Sequence, residues 1–441
     1  MMWRRKSAVA VTGVALSAVA AMGGVSSAQP APPPPPAPLA TPNTDSCPFA
    51  VAPAPAIDLS EVPAPGDTVP PPVPVPANPV GGDKLGGCGI ILPEAAPPLP
   101  ADIVASGWVL ADAESGDVLA AKDPHGRYRP ASTIKLLLAL VVLDELDLDT
   151  VVTATAEDAN IEGSAAGIGK GGIYTNHQLM QGLIMASGND AAHALARQLG
   201  GDAAAVSKMN ELAADLGALD TRAATPSGLD GPGMSSSPYD QAVIFQAALQ
   251  DSTLANLIRT ESAEFPGFPK DPTIPGDEDR PGFMLANDNR LLYNYDGALG
   301  GKTGFTDDAR HTYVGAAERG GRTLLVTLMG GEATPIRPWE QAARLLDYGF
   351  ALPASTSIGS LDQDATDYAA PSLARTPSPA APGSVSAVGP NPDNDSTAMK
   401  RIALGTVGGV VVVGLVLGAI TLNRRRRQRV LFRRQRFPFR R

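Results

Sequence analysis

The distribution of proline constrains this chain most. Most of its 43 prolines fall in two stretches, about residues 30–100 and 353–393. Proline fixes φ and removes a backbone donor, so such stretches neither build sheet ladders nor bury much apolar surface. Residues 101–352 remain as the part long enough for one substantial core. The stretch at 29–100 is expected to be extended and rich in polyproline II conformation. The stretch at 353–401 reads as a flexible polar stalk.

Both ends read as targeting devices. Residues 1–28 combine Arg4, Arg5 and Lys6, an apolar or small run from Ala8 to Met22, and the small residues Ser26-Ser27-Ala28. That pattern predicts a signal peptide cleaved after Ala28. Residues 402–422, IALGTVGGVVVVGLVLGAITL, are uncharged and mainly apolar. At about 1.5 Å per residue they match a hydrocarbon core of about 30 Å. Residues 423–441 then hold ten arginines and no acid. By the positive-inside rule this tail is cytoplasmic. The expectation is a single-pass membrane protein with its body outside the cell.

The formal net charge of −10 conceals an acidic body between basic ends. An acidic body disfavours nucleic acid as a partner. Cys47 and Cys88 are the only cysteines, and in an exported chain a pair predicts a disulfide. Two cysteines and four scattered histidines argue against a metal site.

Within 101–352, IVASGWVLA (103–111) and DVLAA (117–121) flank the turn Glu114-Ser115-Gly116 and predict a β-hairpin. A second hairpin is predicted from HTYVGAAE (311–318) and RTLLVTLM (322–329). Helices are expected after Pro130-Ala131-Ser132, on one or both sides of Ser187-Gly188, and at 203–217, 237–250 and 338–349. Strands at both ends with helices between them predict an α+β fold, one antiparallel sheet flanked by helices, with an all-α cluster in a single domain.

Three short motifs carry chemistry. Ser132-Thr133-Ile134-Lys135 sets a hydroxyl and an amine one helical turn apart on one face. A serine becomes a useful nucleophile when a base takes its proton, and a lysine neutralised by burial or a nearby cation is such a base. Ser187-Gly188-Asn189 adds a hydroxyl and an amide for proton relay and carbonyl binding. Lys302-Thr303-Gly304 offers a charge and a hydroxyl for a terminal carboxylate, with a glycine for close backbone approach. Each motif occurs once in the chain.

In this order the motifs resemble the signature of penicillin-binding proteins and class A β-lactamases. The chain is most similar to the low-molecular-mass D-alanyl-D-alanine carboxypeptidases. The resemblance runs through PASTIKL (130–136), LMQGLIMASGNDAAHALA (179–196), MNELAADLGALDTRAATPSGLD (209–230) and NDNRLLYNYDGALGGKTGFTDDA (287–309). It implies a β-lactamase/transpeptidase-like fold, Ser132 as the acylated nucleophile, Lys135 as its base, and Ser187 and Asn189 in proton transfer and positioning. It further implies that Lys302 and Thr303 bind the substrate carboxylate, and that the Ser132 and Phe305 amides form an oxyanion hole. The implied partners are peptidoglycan stem peptides and β-lactams, with no cofactor. A composition rich in Ala, Gly, Pro, Val and Arg is similar to that of actinobacterial proteins.

Two departures stand out. The family's usual Asn-Pro before Gly-Leu is replaced by Thr225-Pro226-Ser227-Gly228-Leu229, and a second all-β domain is not evident. A β-lactamase is disfavoured because no Glu-x-x-Leu-Asn lies between Asn189 and Lys302. A transpeptidase differs only in whether water or an amine takes the acyl group, and a β-lactam sensor or wall-binding protein is the non-enzymatic alternative. No Gly-x-Ser-x-Gly elbow is present, so His125, His177, His193 and His311 are expected to be structural or superficial.

Overall fold

The computed structural model describes residues 41–362. The expected signal peptide at 1–28, the apolar span at 402–422, the arginine tail and most of the stalk lie outside these residues. Among the described residues no helix is long and apolar enough to cross a membrane.

The central sheet is antiparallel. Its order is β1 (Ile90–Ile91), β3 (Asp117–Lys122), β2 (Gly107–Asp112), β10 (Arg322–Gly331), β9 (Arg310–Arg319) and β8 (Ala298–Thr306). A short β11 (Gly359–Ser360) also pairs with β3. Both expected hairpins are present, β2–β3 and β9–β10. The first begins later than residue 103, because the Val104 and Ala105 amides are taken by Gln341 Oε1 at 3.0 and 3.2 Å.

Side-chain alternation divides the core in two. Val109, Ala111, Val314, Ala316 and Leu325 face the helical cluster. Trp108, Leu110, Leu324, Val326 and Leu328 face the opposite layer. The cluster comprises α1 (Lys135–Glu145), α3 (Asn176–Met185), α4 (Asn189–Gln198), α5 (Asp202–Asp215), α6 (Pro238–Gln250) and α7 (Ser252–Arg259). The opposite layer is α9 (Pro338–Ala351) with the single turn α8 (Leu291–Asn294). Short elements complete the fold: α2 (Ala156–Ala159), the pair β4 (Val151–Thr153) and β5 (Ile173–Thr175), and the pair β6 (Ser262–Phe265) and β7 (Phe283–Ala286). Local chemistry starts the helices. A Thr175–Gln178 capping box opens α3, and Ser237 caps α6 with Pro238 in its first turn.

The proline-rich segment departs from expectation. Residues 41–100 contain little regular structure, yet they dock on the body rather than standing apart from it. Ile90 and Ile91 pair with Lys122 and Ala121, Val80 and Leu85 are buried, and the Cys47 and Cys88 sulfurs are bonded. The physical reason lies in unmatched acceptors. A segment with few N–H donors cannot satisfy its own carbonyls. Cations of the body do so instead: Lys122 Nζ donates to Pro42 O (2.7 Å), Arg129 Nη1 to Ala54 O (2.9 Å), Arg222 Nη1 to Pro71 O (2.7 Å) and Arg127 Nη2 to Pro74 O (3.3 Å). His125 Nε2 lies 2.9 Å from Val80 O. The boundary expected at 352 also shifts, because residues 353–362 return to the body through β11 and the buried Ile358 and Leu361.

Candidate active site

Pro130 ends a cationic run and begins the first motif. Ser132 lies on a 3-10 turn, Ala131–Ile134, and the α-helix proper begins at Lys135. In a 3-10 turn residues three apart eclipse one another, which brings Lys135 Nζ to 2.8 Å from Ser132 Oγ. Ala131 before it holds φ +48°, and Ser187 in the second motif holds φ +58°. Non-glycine residues in this region cost energy and persist where surrounding contacts over-determine them. Around Ala131 those contacts are visible: Thr133 Oγ1 and Thr312 Oγ1 both donate to Pro130 O at 2.7 Å. A Cβ on Gly228 would lie 2.0 Å from Ala131 O.

Lys135 is fully buried. Besides Ser132, its Nζ meets Asn189 Oδ1 at 2.7 Å and Ser227 O at 2.6 Å. The Asn189 amide orientation is set by its Nδ2, which donates to Glu162 O at 2.7 Å. Both of these partners are acceptors only. A neutral amine has two hydrogens, and they are consumed by Asn189 and Ser227, which turns its lone pair toward the Ser132 hydroxyl. Burial pushes the Lys135 ammonium well below the ordinary lysine range; the nearby Lys302 charge pushes the same way, against Asp288 and Asp190.

The second motif joins α3 to α4, which begins at Asn189. Asp190 fixes the facing loop by accepting from the Ala166, Gly167 and Ile168 amides at 2.8 to 3.1 Å. Ser187 is buried beside Asn189, and among the described residues its hydroxyl hydrogen-bonds neither Ser132 nor Lys135.

The third motif lies on β8, an edge strand of the sheet. Lys302 is fully buried, with Nζ 2.9 Å from Thr303 O. Gly304 is where β8 meets Ser132: a Cβ there would fall 3.0 Å from Ser132 N and 2.3 Å from Thr312 Oγ1. Phe305 follows, half exposed, its ring 4.8 Å from that of His311. An edge strand one glycine away from a serine can align an extended peptide across that serine.

Two participants were not visible in the sequence. Ser227 O belongs to the loop whose side chains depart from the family pattern, and a backbone carbonyl leaves no sequence signature. Asp288 accepts from Thr303 Oγ1 at 2.8 Å and lies 3.9 Å from Lys302 Nζ. It stands in the NDNRLL segment, but spacing alone did not assign it a role. Two of the histidines lie elsewhere, His125 on Asp220 and His193 on Asp158, each at 2.7 Å, whereas His311 is the cross-strand partner of Phe305.

The model of the Peptidase S11 family, described as D-alanyl-D-alanine carboxypeptidase, matches residues 94–333. The chain is 47% identical over 275 residues to D-alanyl-D-alanine carboxypeptidase DacB2 of Mycobacterium tuberculosis, covering 62% of this chain and 90% of that protein. Among solved structures, it is similar to a D-alanyl-D-alanine carboxypeptidase from Mycobacterium tuberculosis H37Rv. The TM-score is 0.57 at 46% identity, over 61% of this chain and 99% of that one. It is also similar to the Streptomyces K15 DD-transpeptidase, with a TM-score of 0.53 at 31% identity, over 58% of this chain and 100% of that one.

Proposed function

Since the chain belongs to the D-alanyl-D-alanine carboxypeptidase family, we propose that it removes the terminal D-alanine from peptidoglycan stem peptides through an acyl-enzyme on Ser132 and is a target of β-lactams. The observation that carries this reading is the Lys135–Ser132 hydrogen bond at 2.8 Å, with the other two Lys135 contacts taken by acceptors.

In the proposed mechanism Ser132 Oγ attacks the carbonyl of the penultimate D-alanine as its proton passes to Lys135 Nζ. The oxyanion is held by the Ser132 and Phe305 amides, a type of interaction often worth several kcal/mol. The C–N bond then breaks as Lys135 Nζ passes the proton taken from Ser132 to the departing amine, and terminal D-alanine leaves with Lys135 neutral again. Water attacks the ester as Lys135 Nζ takes its proton, and as the ester C–O bond breaks Lys135 returns that proton to Ser132 Oγ, which restores the free serine; Ser187 is assigned to the same proton transfer by the family resemblance. Asn189 orients the peptide, and Lys302 with Thr303 binds its terminal carboxylate.

The test is incubation of the ectodomain with a pentapeptide ending in D-Ala-D-Ala, with and without an acceptor amine. Free D-alanine and tetrapeptide are expected. Cross-linked peptide as the main product would favour the second reading, transpeptidation, which the likeness to the Streptomyces K15 enzyme supports. Rapid penicillin hydrolysis would point to a β-lactamase.

The proposed location is the outer face of the cell membrane, anchored by residues 402–422 with the tail inside. This rests on the apolar run and the arginines after it. Protease added to protoplasts should digest the body and spare the tail, and a protected body would refute the topology.

A further inference from the structure

Thr303 has one hydroxyl hydrogen, and a carboxylate of the protein already accepts it. Asp288 Oδ2 is 2.8 Å from Thr303 Oγ1 and 3.9 Å from Lys302 Nζ. Lys302 is sealed while the Asp288 side chain is 37% exposed, so the carboxylate stands on the solvent side of the ammonium. The backbone beneath is held firmly. Asp288 N donates to Met185 O at 2.8 Å, at the end of α3. Asn287 Nδ2 donates to Ile258 O and Thr260 O, and Asn289 Oδ1 accepts from Tyr313 OH at 2.7 Å. Among the described residues Lys302 Nζ makes a single hydrogen bond, to Thr303 O. The ammonium and hydroxyl assigned to the substrate thus face an internal carboxylate in the free enzyme.

We propose that Asp288 is a positioning and specificity-determining residue, a stand-in carboxylate that holds Thr303 and Lys302 ready and must yield the Thr303 hydroxyl when the substrate's terminal carboxylate arrives. The proposal rests on the assignment of Lys302 and Thr303 to that carboxylate. Binding exchanges one anion for another at Thr303, and leaves two carboxylates beside one ammonium. Their repulsion weakens the binding of anionic C-termini relative to a site without Asp288.

Asp288 also has an opposite effect. Burial lowers the pKa of Lys302, and Asp288 raises it again. The other charged group facing Lys302 is Lys135 at the start of α1, with Asp190 of α4 beyond it. Across β8, Tyr313 of β9 has its pKa raised by burial and stays neutral. Asp288 is therefore the group that keeps Lys302 charged as pH rises. The same carboxylate competes with the substrate's C-terminus for Thr303 and keeps Lys302 charged as pH rises.

Asp288→Asn separates these effects, because the amide keeps the size and an acceptor oxygen for Thr303 but loses the charge. Steady-state kinetics would be followed across pH on two peptides, one ending in D-Ala-D-Ala and one carrying the C-terminal amide. At about pH 6 the KM for the carboxylate peptide should fall about fivefold, while the KM for the amide should hold. The alkaline limb of kcat/KM for the carboxylate peptide should move to lower pH. Asp288→Glu, which keeps the charge, should retain the parent limb and serves with melting temperatures as the folding control. Equal changes on both peptides, or none on either, would overturn the proposal. A parent enzyme that fails to discriminate carboxylate from amide would instead overturn the Lys302–Thr303 assignment, and this proposal with it.

Discussion

Glu61 Oε1 accepts from Arg129 Nε at 2.5 Å, so a residue of the proline-rich segment grips the chain three residues before Ser132. Nearby, Ile57 N donates to Asp308 Oδ1 at 2.7 Å, in the turn that follows the third motif on β8. One segment thus contacts the flanks of the first and third motifs. Glu61→Gln would leave the buried Arg129 without its counter-ion. Glu61 is partly exposed, so the expected loss is about 1 to 2 kcal/mol rather than that of a fully buried pair. Chemical denaturation should report it, and limited proteolysis should cut residues 50–75 faster than in the parent. Penicillin acylation should slow by a few fold, since Ser132 itself is untouched.

The Cys47–Cys88 bond closes a loop with a sequence separation of 41 that contains Glu61. In the chain-entropy model such a closure is worth up to about 4 kcal/mol. Cys47→Ser should lower the melting temperature markedly while leaving acylation measurable, because Val80 and Leu85 still anchor the segment. Loss of all acylation in a variant that remains folded would show the loop to be part of the catalytic machinery.

His125 makes the docking pH-dependent. Its Nδ1 faces Asp220 at 2.7 Å and its Nε2 faces Val80 O at 2.9 Å, both acceptors, so the imidazolium form satisfies both. Burial alone would lower its pKa, but Asp220 raises it above the ordinary histidine value. A folded-state pKa above the unfolded one gives stability that is full below the unfolded value, about 6.5, and is lost as pH rises through the folded value. Melting temperature should therefore decline above about pH 6.5, and His125→Gln should flatten that decline. A decline of equal slope in the variant would remove His125 as its source.

The catalytic assignment predicts different losses at Ser132 and Lys135. Ser132→Ala should abolish covalent trapping of penicillin, read by intact mass. Lys135→Ala should slow acylation by about 10² to 10⁴ at neutral pH. In the parent, the acid limb of kcat/KM should follow Lys135, because its neutral form is the base and its pKa is lowered by burial. Activity therefore rises with pH through that limb. An unchanged acid limb in a residually active Lys135 variant would assign it to another group.

Gly304→Ala tests the approach of β8 to the nucleophile. The added methyl would meet Thr312 Oγ1 at 2.3 Å and Ser132 N at 3.0 Å. Displacing the strand by about 1 Å should cost about 100-fold in acylation. Acylation at the parent rate would show that β8 does not align the reacting carbonyl.

Local pattern was enough to read much of this protein from its sequence. Period-two runs gave the two hairpins, apolar patterning gave α1, α5, α6, α9 and the helical stretch around Ser187-Gly188, and single occurrences of three motifs named Ser132, Lys135, Ser187, Asn189, Lys302 and Thr303. These signals are carried by residues close together in the chain. Tertiary structure decided what depends on partners far apart. The hydrogen bonding of Lys135 includes the Ser227 carbonyl, 92 residues away, and the state of Thr303 needs Asp288, which spacing does not link to it. The docked proline-rich segment is the clearest case. Its composition reads as unfolded because it lacks donors and apolar bulk. It is ordered because Lys122, His125, Arg127, Arg129 and Arg222, distant in sequence, supply hydrogen bonds that its carbonyls cannot find locally.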